Sequence, residues 1–174
     1  MTNFTFDGAH SSLEFQIKHL MVSKVKGSFD QFDQFDVAVE GDINDFSTLK
    51  ATATIIPSSI NTKNEARDNH LKSGDFFGTD EFDKITFETK SVTENKVVGD
   101  LTIKGITNEE TFDVEFNGVS KNPMDGSQVT GVIVTGTINR ENYGINFNQA
   151  LETGGVMLGK DVKFEASAEF SISE

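Results

Sequence analysis

Three histidines, His10, His19 and His70, are the residues of this chain best suited to metal binding or acid–base chemistry. They lack the H-x-H or H-E-x-x-H spacing that would place two ligands on one face. Asp68 stands two residues before His70, but a helix directs positions i and i+2 to different sides. The chain has no cysteine and no G-x-S-x-G elbow. We therefore predict no catalytic residue, no metal site and no cofactor, and we expect the protein not to be an enzyme.

Arg67 and Arg140 raise a separate question, namely whether either cation meets a ligand. The chain has only 15 lysines and arginines against 28 acidic residues. One interpretation is that each arginine forms a salt bridge, with Asp68, Asp75 or Asp161 as the partner. The other is that one of them meets a polar or anionic head group at the rim of a binding site. Both interpretations stay open on the sequence alone.

The formal net charge of −13 limits the classes of partner. A chain this acidic is repelled by the phosphates of nucleic acids and by anionic membrane surfaces, so we expect no nucleic-acid partner. The N-terminal MTNFTFDGAHSSLEF lacks the basic and apolar regions of a signal peptide. No apolar run approaches the roughly 20 residues of a membrane-spanning helix. We therefore expect a cytoplasmic protein without a stable membrane anchor.

Apolar and polar residues alternate at every second position through most of the chain, which is typical of antiparallel strands with one buried face. The pattern predicts strands at about 11–19, 24–40, 48–60, 84–92, 96–104, 108–118, 128–140 and 161–172. Strands in this number close into a barrel whose interior holds side chains or one small ligand. The predicted fold is all-β: an eight-stranded antiparallel up-and-down barrel, formed by residues 1–174 as a single domain.

One short helix is predicted near the mouth of this barrel, from residue 63 to residue 73. Thr62 and Glu65 have the spacing of a capping box that would begin it. Asp68 and Lys72 stand at i and i+4, so they would pair on its surface. A helix this short is marginal by itself and must dock on the rest of the protein. The expected contact residues are Leu71, Phe76 and Phe77.

In a meander, every second connection lies at the same end of the barrel. The connections predicted at one end carry the apolar residues of Leu20-Met21-Val22, of Phe76-Phe77 and of the loop 144–160, whereas the others are polar turns. The apolar connections either plug the barrel or frame the entrance to an apolar cavity. The candidate ligand-binding residues at this mouth are His19, Leu20, Met21, Arg67, His70, Leu71, Phe76, Phe77, Arg140, Leu151 and Met157.

A series of short fragments in fixed order spans nearly the whole chain. It starts with Asp7, His10-Ser11, Phe15 and His19, followed by Gly27, Phe29, Ser59-Ile60 and Thr62. The most specific fragment is Arg67-Asp68-x-His70-Leu71-x-Ser73-x-Asp75-Phe76-Phe77. After it come Ile85-Thr86-Phe87, Gly99-x-Leu101-Thr102-Ile103-x-Gly105-Ile106-Thr107, Arg140 and Tyr143-Gly144. Together these fragments resemble the YceI-like family.

The resemblance implies a lipocalin-like barrel that binds a polyisoprenoid or a similar long lipid chain without catalysis. Many members of that family are periplasmic. The inward positions of the predicted strands give the candidate lumen lining, which is Leu13, Phe15, Ile17, Phe29, Ile55, Phe87, Leu101, Ile103, Phe112, Val114 and Ile133. The alternative is a solid-core barrel with a structural or interaction role, as a homodimer, without a lipid ligand.

Overall fold

The computed structural model describes residues 1–20, 22–31, 37–148 and 157–173, and ten antiparallel strands in it form one curled sheet. In chain order they are β1 (Asn3–His19), β2 (Ser23–Phe29), β3 (Val37–Asp42), β4 (Asp45–Ile55), β5 (Ile60–Asn61), β6 (Ile85–Val92), β7 (Lys96–Ile103), β8 (Ile106–Lys121), β9 (Gln128–Asn139) and β10 (Asp161–Ser173). Their order across the sheet is β3-β4-β6-β7-β8-β9-β10-β1-β2-β5. The all-β antiparallel prediction is confirmed, but the sheet has ten strands rather than eight.

Two of the predicted strands are each divided in the structure. The strand predicted at 24–40 corresponds to β2 and β3, and the strand predicted at 48–60 corresponds to β4 and β5. In the second case the division has a clear cause. Pro57 begins a single 3-10 turn (Pro57–Ser59), and proline has no N–H to donate to a strand ladder.

The four short strands nevertheless occupy two strand positions. Ser28 pairs with Asn61 between β2 and β5, and Val37 pairs with Ala53 between β3 and β4. The register of the second pair of strands is shifted by one residue relative to that of the first. Alternation of apolar and polar residues indicates where the chain is extended, but it does not show where hydrogen bonding between strands is interrupted. The sequence therefore predicted eight strands instead of ten.

The first strand is longer than predicted. It begins at Asn3, and its register with β10 shifts between Asp7 and Ser12. A bulge of this kind interrupts the alternation, so the pattern identified only the second half of the strand. Near its start, Thr2 N donates to the carbonyl of Gly41, close to the end of β3, at 2.9 Å. The curl of the sheet therefore brings β1 close to the sheet edge formed by β3.

Among the described residues one α-helix, α1, is present; it spans Glu65–Lys72 and lies within the predicted range. Its N-cap is Asn64, whose side-chain Oδ1 accepts a hydrogen bond from Arg67 N at 3.0 Å. The predicted capping box starting at Thr62 is therefore wrong. The Thr62 hydroxyl is not free for that role because it bonds to two side chains of the helix, as described below.

Four connections meet at one end of the sheet, which is called the mouth from here on. Leu20 N donates to Met157 O at 2.7 Å, which joins the β1–β2 turn to the segment before β10. Lys104 Nζ donates to Gly74 O at 2.8 Å, which joins the β7–β8 turn to the segment after α1. The β3–β4, β6–β7 and β8–β9 turns lie at the far end, because neighbouring strands run in opposite directions. This arrangement agrees with the predicted grouping of the apolar connections.

Apolar side chains on the concave face form two clusters. The buried members of the larger cluster are Phe29, Ile60, Phe76, Ile85, Val97, Leu101, Ile103, Phe112, Val114, Tyr143 and Ile145. The smaller cluster contains Phe6, Phe170 and Ile172 and lies toward the far end. Because strand residues alternate between faces, the concave face is apolar along its length while the convex face carries most of the charge.

Candidate functional site

A cavity of about 690 Å³ lies on the concave side of the sheet. It extends from the mouth, where Leu71 and Phe76 line it, to the smaller cluster, where Phe6 and Val39 line it. Its lining is almost entirely apolar. Ligand sites in proteins typically have volumes of roughly 300–1,000 Å³ and predominantly apolar walls. The sheet therefore encloses space, which the solid-core alternative did not predict.

Most residues predicted to line the lumen border this cavity. They are Leu13, Phe15, Ile17, Phe29, Ile55, Phe87, Leu101, Ile103, Phe112 and Val114. The prediction for Ile133 is wrong in its placement, because Ile133 pairs with the exposed Glu115 and lies on the convex face. Its neighbours Val132 and Val134 line the cavity instead. Three consecutive apolar residues in β9 hid the alternation, so the sequence did not indicate which of them points inward.

Two wall glycines allow phenylalanine rings to lie close against the sheet. Phe15 pairs with Gly27, and a Cβ atom on Gly27 would come within 2.5 Å of the Phe15 ring. A Cβ atom on Gly136 would overlap the ring of Phe112 and approach that of Phe164 to 3.0 Å. Rings that lie over a bare backbone occupy less of the lumen than rings that stand away from the wall. The signal in the sequence is glycine inside a strand, which often marks such a close approach.

Aromatic side chains pack on one another at the mouth. Phe77 meets Phe29 edge to face, with ring centroids 5.8 Å apart. Phe76 lies 5.3 Å from Phe147, and the His70 ring stands edge-on to both, at 5.0 and 4.9 Å. Such pairs add to stability beyond the area they bury. The Phe76-Phe77 pair thus belongs to the wall of the cavity. Phe147, which borders it too, was missed by the sequence analysis.

The charged residues of α1 hold this helix to the end of β5. Thr62 donates from its backbone N and from Oγ1 to Asp68 Oδ1, at 2.9 and 2.5 Å. Arg67 donates from Nε to Thr62 Oγ1 at 2.8 Å and from Nη2 to Thr62 O at 2.7 Å. The ion pairs among described residues include neither the predicted Asp68–Lys72 pair nor a salt bridge of Arg67. A buried threonine, rather than a charge, is the common partner.

Arg140 joins two segments of the chain that lie between β9 and β10. Its side chain is 5% exposed, and its donors meet backbone carbonyls. Nε donates to Gly159 O, and Nη1 donates to Ile145 O and Phe147 O, each at 2.9 Å. Desolvation lowers the pKa of Arg140 from its ordinary value. The salt bridge predicted with Asp161 is not among the ion pairs of the described residues, so carbonyl oxygens rather than a carboxylate compensate the burial of this cation.

The remaining rim predictions divide by position. The predicted residues that border the cavity are His19, Arg67, His70, Leu71, Phe76, Phe77, Arg140 and Met157. Leu20 does not border it and is 41% exposed at the β1–β2 turn. Met21 and Leu151 lie outside the described residues. The structure therefore brings eight of the predicted rim residues together around one opening.

Tyr143 is a further wall residue that the sequence analysis did not identify as part of the site. It is fully buried, and its hydroxyl donates to Glu110 Oε2 at 2.7 Å. Burial and the neighbouring carboxylate both raise the pKa of Tyr143, so it stays neutral. Its ring faces the lumen while its hydroxyl reaches a carboxylate of β8, which keeps the polar atom satisfied.

The histidines do not converge on one another. His70 Nε2 lies 3.0 Å from Asp75 Oδ2 at the mouth. His10 Nδ1 lies 2.8 Å from Asp7 Oδ2 and 3.3 Å from Glu169 Oε2, on the outer surface. Asp7, His10 and Glu169 are the described residues whose ligand atoms are close enough to hold a metal, within 4.8 Å of one another. Hydrogen bonding to Asp7 raises the pKa of His10 and lowers that of Asp7, so an ion pair accounts for the cluster.

The site is thus suited to hold an apolar chain by burial. None of its buried side-chain polar atoms, among the described residues, lacks a hydrogen-bond partner, so the wall presents few polar atoms that need a ligand. The described residues contain no helix long and apolar enough to cross a membrane.

Comparison with known proteins gives consistent relatives. The family model described as YceI-like domain matches residues 4–170. A UPF0312 protein of Staphylococcus aureus strain Mu50 is 98% identical over 174 residues, which is 100% of both chains. The crystal structure of a Campylobacter jejuni YCEI protein has 31% identity and a TM-score of 0.74, and the match covers 91% of each chain. A polyisoprenoid binding domain from Saccharophagus degradans has a TM-score of 0.67 over 99% of this chain, and its 14% identity supports a shared fold alone.

Proposed function

This chain belongs to the YceI-like family, and we propose that it binds a long apolar ligand, a polyisoprenoid or a similar lipid chain, inside the lumen of its sheet. The binding is non-catalytic and serves carriage, storage or sensing, with the whole chain acting as one domain. The observation that carries the proposal is the apolar cavity of about 690 Å³ that is continuous from the mouth to the smaller cluster.

The size of the cavity argues that something fills it. An empty apolar cavity in a protein core is destabilising, because its lining atoms lose van der Waals partners. Water is a poor filling, because a stable internal water needs two to four polar partners and the wall is almost entirely apolar. A hydrocarbon chain would contact the lining atoms and would need no polar partner.

Burial alone supplies enough affinity. Each buried CH₂ group contributes roughly 0.8 kcal/mol, so about ten of them correspond to micromolar binding. The extent of the cavity favours a long chain, because its lining runs from Leu71 and Phe76 at the mouth to Phe6 and Val39 toward the far end. Specificity for the head group then falls to the polar residues of the rim, His19, Arg67 and His70, which border the opening.

The proposed class of ligand agrees with the description of one solved structure of the same fold. The domain from Saccharophagus degradans is described as polyisoprenoid binding. The inference from this chain's own lumen is independent of that description, because it rests on the volume and on the apolar lining. Both lead to a ligand with a long hydrocarbon chain and little need for polar contacts.

Organic extraction of the purified protein, followed by mass spectrometry, tests the proposal. We expect a long-chain lipid in the extract, and we expect the delipidated protein to take up an added polyisoprenoid alcohol. If the extract repeatedly holds no lipid and the delipidated protein takes up none of the alcohol, the proposal is wrong.

A matched pair of variants locates the ligand. Ala166 borders the cavity, whereas Ile133 lies on the convex face of the sheet. Ala166→Phe places a ring inside the lumen and should lower the amount of bound lipid several-fold. Ile133→Phe enlarges a side chain on the outer side and should leave lipid binding unchanged. Equal retention in both variants would place the ligand outside the lumen.

A further inference from the structure

Four lysines form a patch on the convex face at the mouth, named the hairpin patch here: Lys18, Lys24, Lys26 and Lys163. All four are exposed. Lys18 and Lys24 are direct partners across the β1–β2 ladder. Gln16 pairs with Lys26 on one side and with Lys163 on the other, which places those lysines in one row. Like charges directly opposite in a sheet are destabilising, so stability does not explain this arrangement.

The hairpin patch lacks internal compensation. The lysine ion pairs among the described residues use Lys90 and Lys96, and neither belongs to the patch. Along the strands, the nearest acidic positions are Asp161 and Glu165, each two residues from Lys163, and Glu14, two residues from Gln16. In a chain with a net charge of −13, four lysines that form no ion pair with a described carboxylate are a local departure from the average.

The patch flanks an exposed apolar tip beside the opening of the lumen. Between Lys18 and Lys24, Leu20 is 41% exposed and Val22 is 86% exposed. Leu20 N donates to the carbonyl of Met157, whose side chain borders the cavity. Apolar residues flanked by lysines are the composition with which proteins attach to the surface of an anionic bilayer. Here they stand where a lipid chain would enter or leave.

We infer that the β1–β2 hairpin docks the mouth reversibly on an anionic phospholipid bilayer, so that a lipid chain passes between the bilayer and the lumen. This inference rests on the proposed function. The tip enters the headgroup region, and the hairpin patch meets the lipid phosphates. The segment before β6 carries Asp80, Glu81 and Asp83 against the single cation Lys84, so that side of the mouth is net acidic and the hairpin is the side that faces the lipid.

Net charge does not prevent this contact. The expected repulsion from anionic membranes was based on the net charge of the whole chain. At physiological ionic strength, however, salt screens the electrostatic interaction of an exposed charge beyond about 8 Å. Strands of this length, tilted as in a barrel, span roughly 30 Å along the axis. Carboxylates at the far end are therefore screened from a bilayer at the mouth, and the charges near the hairpin decide the interaction.

Sedimentation with vesicles tests the charge contribution. The protein should sediment with vesicles of equal parts phosphatidylglycerol and phosphatidylcholine, and not with phosphatidylcholine alone or in high salt. The double variant Lys18→Glu/Lys24→Glu should bind at least about tenfold more weakly, since each basic residue near such a surface contributes about 1 kcal/mol. Lys50→Glu/Lys121→Glu makes the same change in net charge away from the mouth, and it should bind as the unmodified protein does.

A fluorescent reporter tests insertion of the tip. The chain contains no tryptophan, so a single introduced one gives a clean signal. Val22→Trp should shift its emission to shorter wavelength when anionic vesicles are added. Met124→Trp is the matched control, because Met124 is 91% exposed in the far-end turn between β8 and β9, and its emission should not move.

The results separate this inference from the proposed function. Equal weakening by the two double variants, no sedimentation with anionic vesicles, or the same emission shift in both tryptophan variants would each overturn docking through the hairpin. The lipid content of Lys18→Glu/Lys24→Glu, measured by extraction, reports on the lumen independently. A protein that holds lipid but does not sediment contradicts the docking and leaves the lumen proposal standing.

Discussion

At the scale of single residues, Arg140 shows how a buried cation can be accommodated without a carboxylate. Three of its hydrogen bonds go to backbone carbonyls. Ile145 and Phe147 come shortly after Tyr143 in the chain, and Gly159 comes shortly before β10. Carbonyl oxygens carry partial negative charge, and hydrogen bonds from a charged donor are stronger than neutral ones. The guanidinium therefore fixes the wall segment that carries Tyr143 and Phe147 against the mouth.

Removing the Arg140 side chain should strongly destabilise the protein. Arg140→Ala leaves three carbonyls without a donor and opens space in the wall, so we expect the free energy of unfolding to fall by about 3 kcal/mol. Arg140→Lys keeps the charge but not the fork of donors, and it should lose about 2 kcal/mol. Urea denaturation measures both values.

Arg67→Ala serves as the control for Arg140→Ala. Arg67 is exposed, and both of its side-chain hydrogen bonds go to Thr62. Thr62 is buried, but its hydroxyl keeps the bond to Asp68, and loss of the exposed guanidinium opens no space in the core, so we expect a smaller loss of about 1–2 kcal/mol. An equal loss in the two alanine variants would mean that the burial of Arg140 has no energetic consequence.

At the scale of elements, the alternation of apolar and polar residues correctly predicted most residues that line the cavity. The prediction failed where the backbone departs from a regular strand or where apolar residues are consecutive. Leu13, Phe15 and Ile17 were assigned to the correct face because β1 is regular there. The start of β1 was missed because its bulge breaks the alternation. Ile133 was assigned to the wrong face because β9 is apolar at consecutive positions. The N-cap of α1 was misplaced because Thr62 serves the tertiary contact with Arg67 and Asp68 instead.

The β9 glycines provide a test of how the sheet keeps its lumen open. A Cβ at Gly136 overlaps the Phe112 ring, whereas a Cβ at Gly131 has its nearest neighbours at 3.9 Å. Gly136→Ala should push Phe112 and Phe164 into the lumen, reduce the amount of bound lipid and destabilise the protein by about 1–3 kcal/mol. Lipid content by extraction and stability in urea give the two readouts.

Gly131→Ala is the matched control in the same strand. It should bind lipid normally and be neutral or slightly stabilising, since alanine restricts the unfolded chain more than glycine does. If Gly136→Ala keeps both its lipid and its stability, the rings do not depend on a bare backbone and the interpretation of the wall glycines is wrong.

At the scale of the whole molecule, composition gives the number of apolar and charged residues, whereas the fold determines where on the molecule they lie. The sequence contains 16 phenylalanines, but only the curled sheet shows that 12 of them line one cavity. In the same way, the net charge of −13 indicated repulsion from phosphate surfaces, while the registers of β1, β2 and β10 collect lysines on one side of the mouth. Neither feature could be predicted from residue counts, because each depends on which strands are neighbours.

Removing the ligand should lower the thermal stability of the whole protein. A ligand that binds only the folded state, present at 100 times its Kd, stabilises by about 2.7 kcal/mol. For a chain of this size each kcal/mol shifts Tm by about 2–4 °C, so delipidation should lower Tm by about 5–10 °C and an added polyisoprenoid alcohol should restore it. Differential scanning calorimetry measures the shift.

Two controls test whether the lumen is the site. A short-chain alcohol should restore little of the Tm, since it buries few CH₂ groups, and the Tm of Ala166→Phe should change little with either alcohol. An unchanged Tm after complete delipidation would mean that the lumen gains no stability from its contents.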